Sequence, residues 1–198
     1  MPETPEQRHA RAVGALRTPP VHEWDTWPFE GEVRPKPLAP PTPEPRIDGQ
    51  GGVDCRACAK PDSEYLGTNE RWRLTAFDEP SGLPVVVLLE PREHFAGPAD
   101  LPEDLARDQG LMLGRVERAV LAVGGIARVH IGRWGEGAEH LHWWFIARPE
   151  GFGQLRSSFA EIWDEVLPPT PDDVWKENLE RVVQALKAQD VDRSDARR

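Results

Sequence analysis

Residues 140–149 read His-Leu-His-Trp-Trp-Phe-Ile-Ala-Arg-Pro, and the reading of the whole chain turns on them. Aromatic and aliphatic residues follow one another with no helix breaker before Pro149, which is strand chemistry. Side chains of a strand alternate between its faces. Leu141, Trp143, Phe145 and Ala147 therefore form one wholly apolar face, suited to a core. His140, His142, Trp144 and Ile146 form the other. That face carries two imidazoles roughly 6.5–7 Å apart along the strand. It is too polar for a plain core strand and marks a site.

Working outward, residues 126–132 (IARVHIG) alternate as a further strand, followed by the loop RWGEGAE at 133–139. Residues 71–77 (RWRLTAF) alternate too, and 83–90 (LPVVVLLE) are a nearly continuous apolar run fit for a central strand. Pro80-Ser81-Gly82 between them is a turn, so the two are expected to form a hairpin. Residues 101–123 read as a helix: the first turn is acidic, Gly124-Gly125 stops it, and Leu105, Leu111, Leu113, Val116, Ala119 and Val120 supply its apolar stripe. Two helices are expected at the end, over residues 153–166 and from Thr170-Pro171 to about Lys187. The fold class is α+β, with a mainly antiparallel sheet and packed helices.

The expected division of the chain is an N-terminal helix and extension at 1–52, a main domain at 53–150, a helical extension at 151–187 and a flexible tail at 188–198. Thr4-Pro5-Glu6-Gln7 is a capping-box helix start, and that first helix should reach about Leu16. Residues 35–45 (PKPLAPPTPEP) read as a polyproline-like spacer. Trp24, Trp27 and Phe29 precede it and are expected to anchor the extension on the main domain, because aromatic burial supplies such attachment energy. The formal net charge of −10 leaves no basic surplus for a nucleic-acid polymer. No run of about 18 apolar residues suggests a membrane span. The charged first twenty residues lack a signal peptide's apolar stretch, so the expected location is the cytoplasm.

Cys55 and Cys58 are the two cysteines, in C-x-x-C spacing. In a reducing compartment that spacing points to metal or redox chemistry more than to a structural disulfide. Tetrahedral zinc wants four Cys or His ligands, and His94 and His140, both beside strand chemistry, complete the set. The redox alternative needs a cysteine of lowered pKa at a helix start, and the residues after Cys58 promise no helix.

Taken in order, these features resemble the histidine triad superfamily of nucleotide hydrolases and transferases, over residues 53–149. The features are C-x-x-C, a strand ending in Pro91-Arg92-Glu93-His94, a helix opened by Leu101-Pro102-Glu103-Asp104, and then His140-Leu141-His142-Trp143-Trp144. The layout is similar to the zinc-containing branch that includes galactose-1-phosphate uridylyltransferase. The resemblance implies zinc held by Cys55, Cys58, His94 and His140, with His142 as the nucleophile that takes up a nucleotidyl group. It also implies a small-molecule nucleotide or nucleotide conjugate as substrate. A homodimer through the sheet edge and helix is implied as well, on a surface the extra C-terminal helices could cover. The chain departs from the family at Trp144, where relatives carry His or, in the uridylyltransferase branch, Gln. Both of those donate to phosphate, whereas Trp donates only through its indole N–H.

Transfer through an imidazole needs an in-line nucleophile and donors for the equatorial oxygens. Trp144, Arg133 and Trp134 are the substrate-binding candidates, with glycine amides of the loop beside them. Arg133 reads equally well as a solvated loop charge. His130 reads as a satisfied sheet histidine, and Arg148 as a solvated strand end. Two other functions stay open: a ligand-binding module whose pocket Trp144 has reshaped, and a zinc scaffold whose N-terminal aromatic segment recruits another protein.

Overall fold

The structure, a computed structural model, describes residues 3–195, with side chains for all of these but 22, 157 and 191–195. In chain order the elements are helices α1 (Pro5–Ala12) and α2 (Arg56–Ala59), strands β1 (Gly67–Thr68), β2 (Trp72–Ala76) and β3 (Val86–Pro91), helix α3 (Glu103–Leu121), strands β4 (Ile126–Gly132) and β5 (Trp143–Pro149), and helices α4 (Ala160–Val166) and α5 (Asp172–Asp195). The strands form one antiparallel sheet in the order β1-β2-β3-β5-β4. The expected α+β architecture and the β2–β3 hairpin are both present.

The continuous apolar run of β3 is explained by cover on both faces of the sheet. Val87 and Leu89 join Trp72, Leu74, Phe145 and Ala147 in a core closed by Val116, Ala119 and Val120 of α3 and by Leu179 and Val182 of α5. Each such side chain contributes roughly 1.5–3 kcal/mol relative to an exposed one. Two indole N–H groups from this face are satisfied by α3: Trp72 donates to Asp108 at 2.7 Å and Trp143 to Gln109 at 3.0 Å. On the opposite face Val86 and Ile146 pack with Leu83, Leu155 and Ala160, so α4 covers only that end of the sheet.

Several boundaries and one stripe differ from the sequence reading. The strand predicted from His140 begins at Trp143, because β3 ends at Pro91 and the Leu141 N–H bonds to the Phe95 carbonyl at 2.7 Å instead of continuing the ladder. In α3 it is Met112, two turns after Leu105, that is buried, while Leu111 is exposed. The helix expected over 153–166 is confined to α4 and a preceding short turn. The first helix stops at Ala12 rather than near Leu16; its capping box is formed as expected. The last helix runs on to Asp195, and residues 188–190 are docked rather than loose. Gln189 donates to the Arg115 carbonyl at 3.1 Å, and exposed Asp190 pairs with the Arg115 guanidinium. Residues 196–198 lie outside the described residues.

The N-terminal extension is anchored through its aromatics, as expected. Trp24 and Trp27 both contact the Phe159 ring, at 5.7 and 5.3 Å between centroids, and the Trp163 indole donates to the Thr26 carbonyl at 2.8 Å. Ring pairs of this kind are worth about 0.5–1.5 kcal/mol each beyond their burial. Phe159→Ala should therefore make residues 18–46 roughly tenfold more sensitive to limited proteolysis, with the main unfolding transition little changed. An unchanged cleavage pattern would show that the extension is held elsewhere.

Candidate metal centre and groove

Cys55, Cys58, His94 and His140 converge: their ligating atoms all lie within 4.8 Å of one another, a grouping able to hold a metal ion. Cys55 sits at the start of one-turn α2, so that the Cys58 N–H donates to its sulfur at 3.4 Å. The His140 Nδ1 lies 3.4 Å from each sulfur, and the His94 Nδ1 lies 3.8 Å from the Cys58 sulfur. An ion bound tetrahedrally at about 2.3 Å from sulfur and about 2.0–2.1 Å from nitrogen sets a sulfur–nitrogen edge of about 3.5 Å, so the residues fit such an ion. Gly49, at φ +71°, closes the site from the N-terminal side: a Cβ there would stand 3.0 Å from the Cys55 Cβ and 3.3 Å from the His94 ring.

Both imidazoles are oriented from behind. A carbonyl only accepts, so the His140 Nε2 must carry the proton it donates to the Pro91 carbonyl at 2.9 Å, which leaves Nδ1 free as a ligand. The His94 Nε2 faces the Glu139 carboxylate at 3.4 Å, and the same oxygen accepts from the Gly51 N–H at 2.8 Å. Glu139 was not singled out by the sequence reading. Its signal was its place, directly before His140 at the end of the loop.

Cys58 does not have the character of a reactive redox thiol. A one-turn helix starts right after Cys55 and ends at Ala59, and desolvation of the Cys58 sulfur and then the neighbouring Cys55 thiol push Cys58 up to about 11, although the residue as a whole is exposed. Such a thiol is protonated at neutral pH and becomes a good thiolate only when a cation takes the proton's place.

His142 lies beyond the cluster. Its Nδ1–H donates to the His140 carbonyl at 2.8 Å, so the lone pair is on Nε2. It lines an open groove of about 640 Å³ on the sheet face that α4 leaves uncovered, together with Thr75, Phe77, Leu88, Trp134 and Trp144. Trp144 is half-buried, 6.3 Å from the His142 ring, 5.3 Å from Phe77 and 5.9 Å from Trp134. Its indole nitrogen is buried without a hydrogen-bond partner. The groove floor beside the metal cluster holds buried Glu90, which accepts from the Tyr65 hydroxyl. Burial, and then this neighbouring carboxylate, push Tyr65 up. Neither Glu90 nor Phe77 was anticipated as a site residue. A smaller cavity of about 110 Å³ between β2 and α5 is mostly apolar, and its Arg115 and Asp190 pair with each other.

Of three other candidates, Arg133 matches one of its two readings, an exposed loop charge, and the other two stand differently. Arg133 does not line the groove; it turns back to donate to the Ala96 carbonyl at 2.6 Å. Arg148 is half-buried rather than solvated and reaches the Phe152 carbonyl at 3.3 Å. His130 is not a satisfied sheet histidine: its Nε2 is buried without a partner.

No protein-family model matches the chain, and no curated protein matches it significantly. Solved structures do match. A histidine triad nucleotide-binding protein of Sulfolobus tokodaii superposes with a TM-score of 0.51 at 16% identity, over 68% of this chain and 93% of the other. Histidine triad proteins of Sinorhizobium meliloti and Marinobacter aquaeolei each give a TM-score of 0.50 at 17% identity, over 61% and 63% of this chain and 87% and 88% of theirs. The protein has the histidine triad fold. Among the described residues, no helix is long and apolar enough to cross a membrane.

Burial holds both His130 and His140 below the ordinary imidazole range. Both are then neutral at pH 7 in the folded and unfolded states. As pH falls through about 6.5, the unfolded chain takes up protons that the folded chain refuses, so stability falls. Metal-free protein should lose melting temperature between pH 7 and 5.5, and His130→Gln should flatten that slope. Parallel slopes in the two proteins would remove His130 from the account.

Proposed function

We propose that this protein is a histidine triad-type hydrolase or nucleotidyltransferase of small nucleotide conjugates, working through His142, with a structural zinc ion at Cys55, Cys58, His94 and His140. The single observation that carries the reading is the tautomer of His142. Its Nδ1–H is committed to a backbone carbonyl, which leaves the Nε2 lone pair on the side chain that lines the groove. A neutral imidazole so fixed attacks an α-phosphorus in line: a nitrogen–phosphorus bond forms as the bond to the leaving group breaks. Water then attacks the same phosphorus and returns the imidazole. A second acceptor in place of the water makes the reaction a transfer.

Trp144 governs the rate. It occupies the face next to His142 where a side-chain donor to the phosphate is wanted, and it offers one indole N–H that has no protein partner. Losing a well-placed transition-state donor typically costs about 10²–10³ in rate. The expected activity is slow. In a single-turnover assay with adenosine 5′-phosphoramidate and dinucleotides, product should appear above background and disappear in His142→Ala. Trp144→His should raise the rate. Equal background release from wild type and His142→Ala would replace catalysis with the second reading, a module that binds its ligand without turnover. That reading is favoured by the contact of Trp144 with Phe77 and Trp134, which fills space beside the nucleophile.

The metal reading rests on the donor set, since two thiols and two imidazoles brought within reach of one ion suit tetrahedral zinc. The ion would supply cross-linking of α2 to the end of β3 and the approach to β5, and would displace the two thiol protons. Elemental analysis should find one zinc per chain, and chelation should lower the melting temperature by about 10 °C, on the order of 3 kcal/mol for a chain of this size. Glu139→Ala should weaken zinc binding about 10- to 100-fold while the fold persists. Stoichiometric protein without metal that melts as before would overturn the assignment.

A further inference from the structure

The groove beside His142 has an aromatic corner whose surroundings carry the wrong charge for a phosphate. Trp144 forms its back wall. Phe77, just past the end of β2, stands 5.3 Å from it, and Trp134, on the loop after β4, stands 5.9 Å from it and almost perpendicular, at 86°. Phe77 is 46% exposed and Trp134 42% exposed, so two large rings turn surface toward the groove without any element covering them.

The position of Trp134 is built into the sheet. Gly132 pairs across from Trp144, and a Cβ on Gly132 would stand 2.6 Å from the Trp134 ring. The indole lies where only a glycine leaves room for it, directly against the partner of Trp144.

Charge then selects the ligand. The groove's two basic residues are engaged: Arg56 pairs with Asp48 at 3.0 Å, while the Lys60 ammonium donates to the Thr75 hydroxyl at 3.0 Å and lies 4.7 Å from the centre of the Tyr65 ring. Glu64, Asp78 and Glu136 also line it, and none of their carboxylates makes a hydrogen bond or ion pair. Asp78 follows Phe77, and Glu136 is two residues past Trp134, so each ring wall brings a carboxylate on its own segment. The ring faces are negative, and cations are drawn to them within about 6 Å. Faces and carboxylates therefore act in the same direction.

We propose that this corner binds an ammonium group, primary or quaternary, on the leaving-group side of the ligand, so that the substrate class is a nucleotide joined to a cationic amine or amino alcohol. The nucleotide half of that statement rests on the function proposed above; the cation subsite does not. A nucleobase would also stack on these rings, but it would draw no advantage from the unpaired carboxylates.

The experiment compares a cation with its neutral isostere. Choline and 3,3-dimethyl-1-butanol differ in charge and hardly in shape. Each is titrated into the full-length protein by calorimetry, free and as its conjugate with the 5′-phosphate of adenosine, in wild type, Trp134→Ala, Gly132→Ala and Asp78→Asn/Glu136→Gln. The expected result is a preference of at least tenfold for the cation in wild type, in one or both pairs. It should be reduced in all three variants and weakened as salt rises. Circular dichroism on Gly132→Ala separates displacement of Trp134 from loss of the sheet, and the exposed Trp134→Ala and carboxylate variants stand independently of it. Equal binding of cation and isostere in both pairs, or no binding of either, overturns the proposal. A cation preference that persists while the conjugates bind no better than the free head groups leaves the subsite standing and removes the nucleotide reading instead.

Discussion

The whole site hangs on one buried imidazole. His140 is 2% exposed, and three of its atoms are committed in three directions. Its Nε2–H is held by the Pro91 carbonyl at the end of β3, its Nδ1 faces both cysteine sulfurs, and its backbone carbonyl takes the Nδ1–H of His142. The first bond fixes the ring's tautomer and so makes the second arrangement a ligand geometry. The third carries that order to the neighbouring histidine. Removing the Pro91 contact would release the ring, loosen the knuckle at Cys55–Cys58 and free the carbonyl that holds the His142 lone pair on Nε2. A metal at this cluster would therefore act on the groove without entering it, through a single residue of backbone.

The sheet explains why a groove exists at all. One face is closed along its length by α3 and α5, while on the other α4 meets only the Val86–Ile146 end and the α2 knuckle occupies the far end. What remains open is a window over Thr75, Leu88, His142 and Trp144. The irregular stretch at 140–142 faces that window because the β3 ladder stops at a proline. Beyond it, the Leu141 N–H finds its acceptor in the loop at Phe95. The interruption of regular pairing and the position of the nucleophile candidate are the same event.

Much of this was legible in residues, and the misses have physical causes. The strands, α3 and the metal set could be read because each rests on a local signal: period-two alternation, an acidic first turn with a Gly-Gly stop, and thiols and imidazoles at element ends. Met112 for Leu111 was missed because two apolar neighbours differ by 100° around a helix and only packing chooses between them. Arg133 stayed open between two readings because flanking glycines let a loop arginine turn toward a ligand or away, and here the exposed guanidinium folds back on the Ala96 carbonyl. The unsatisfied His130 and the paired Glu90 depend on which strand lies opposite, and that long-range fact is invisible one strand at a time. The docking of residues 188–190 likewise depends on Arg115, about seventy positions away in sequence.

Trp144 shows how one residue trades two kinds of binding energy. A donor at that position would act mainly on charge that develops during transfer, and would raise the rate of the chemical step. An indole in contact with Phe77 and Trp134 presents π surface that a ligand meets equally before and during reaction. Interactions that are equal in the two states tighten association without lowering the barrier that follows it. Gly132 shows that the indole at this position is fitted to its surroundings. A Cβ at its position would collide with the Trp134 ring, so the second indole needs the glycine as much as the first needs the second. Three residues on two strands and a loop are thus mutually fitted around the space next to His142. The arrangement is that of a space shaped by three residues beside His142, and under the proposed function it would favour holding a group there over speeding its transfer.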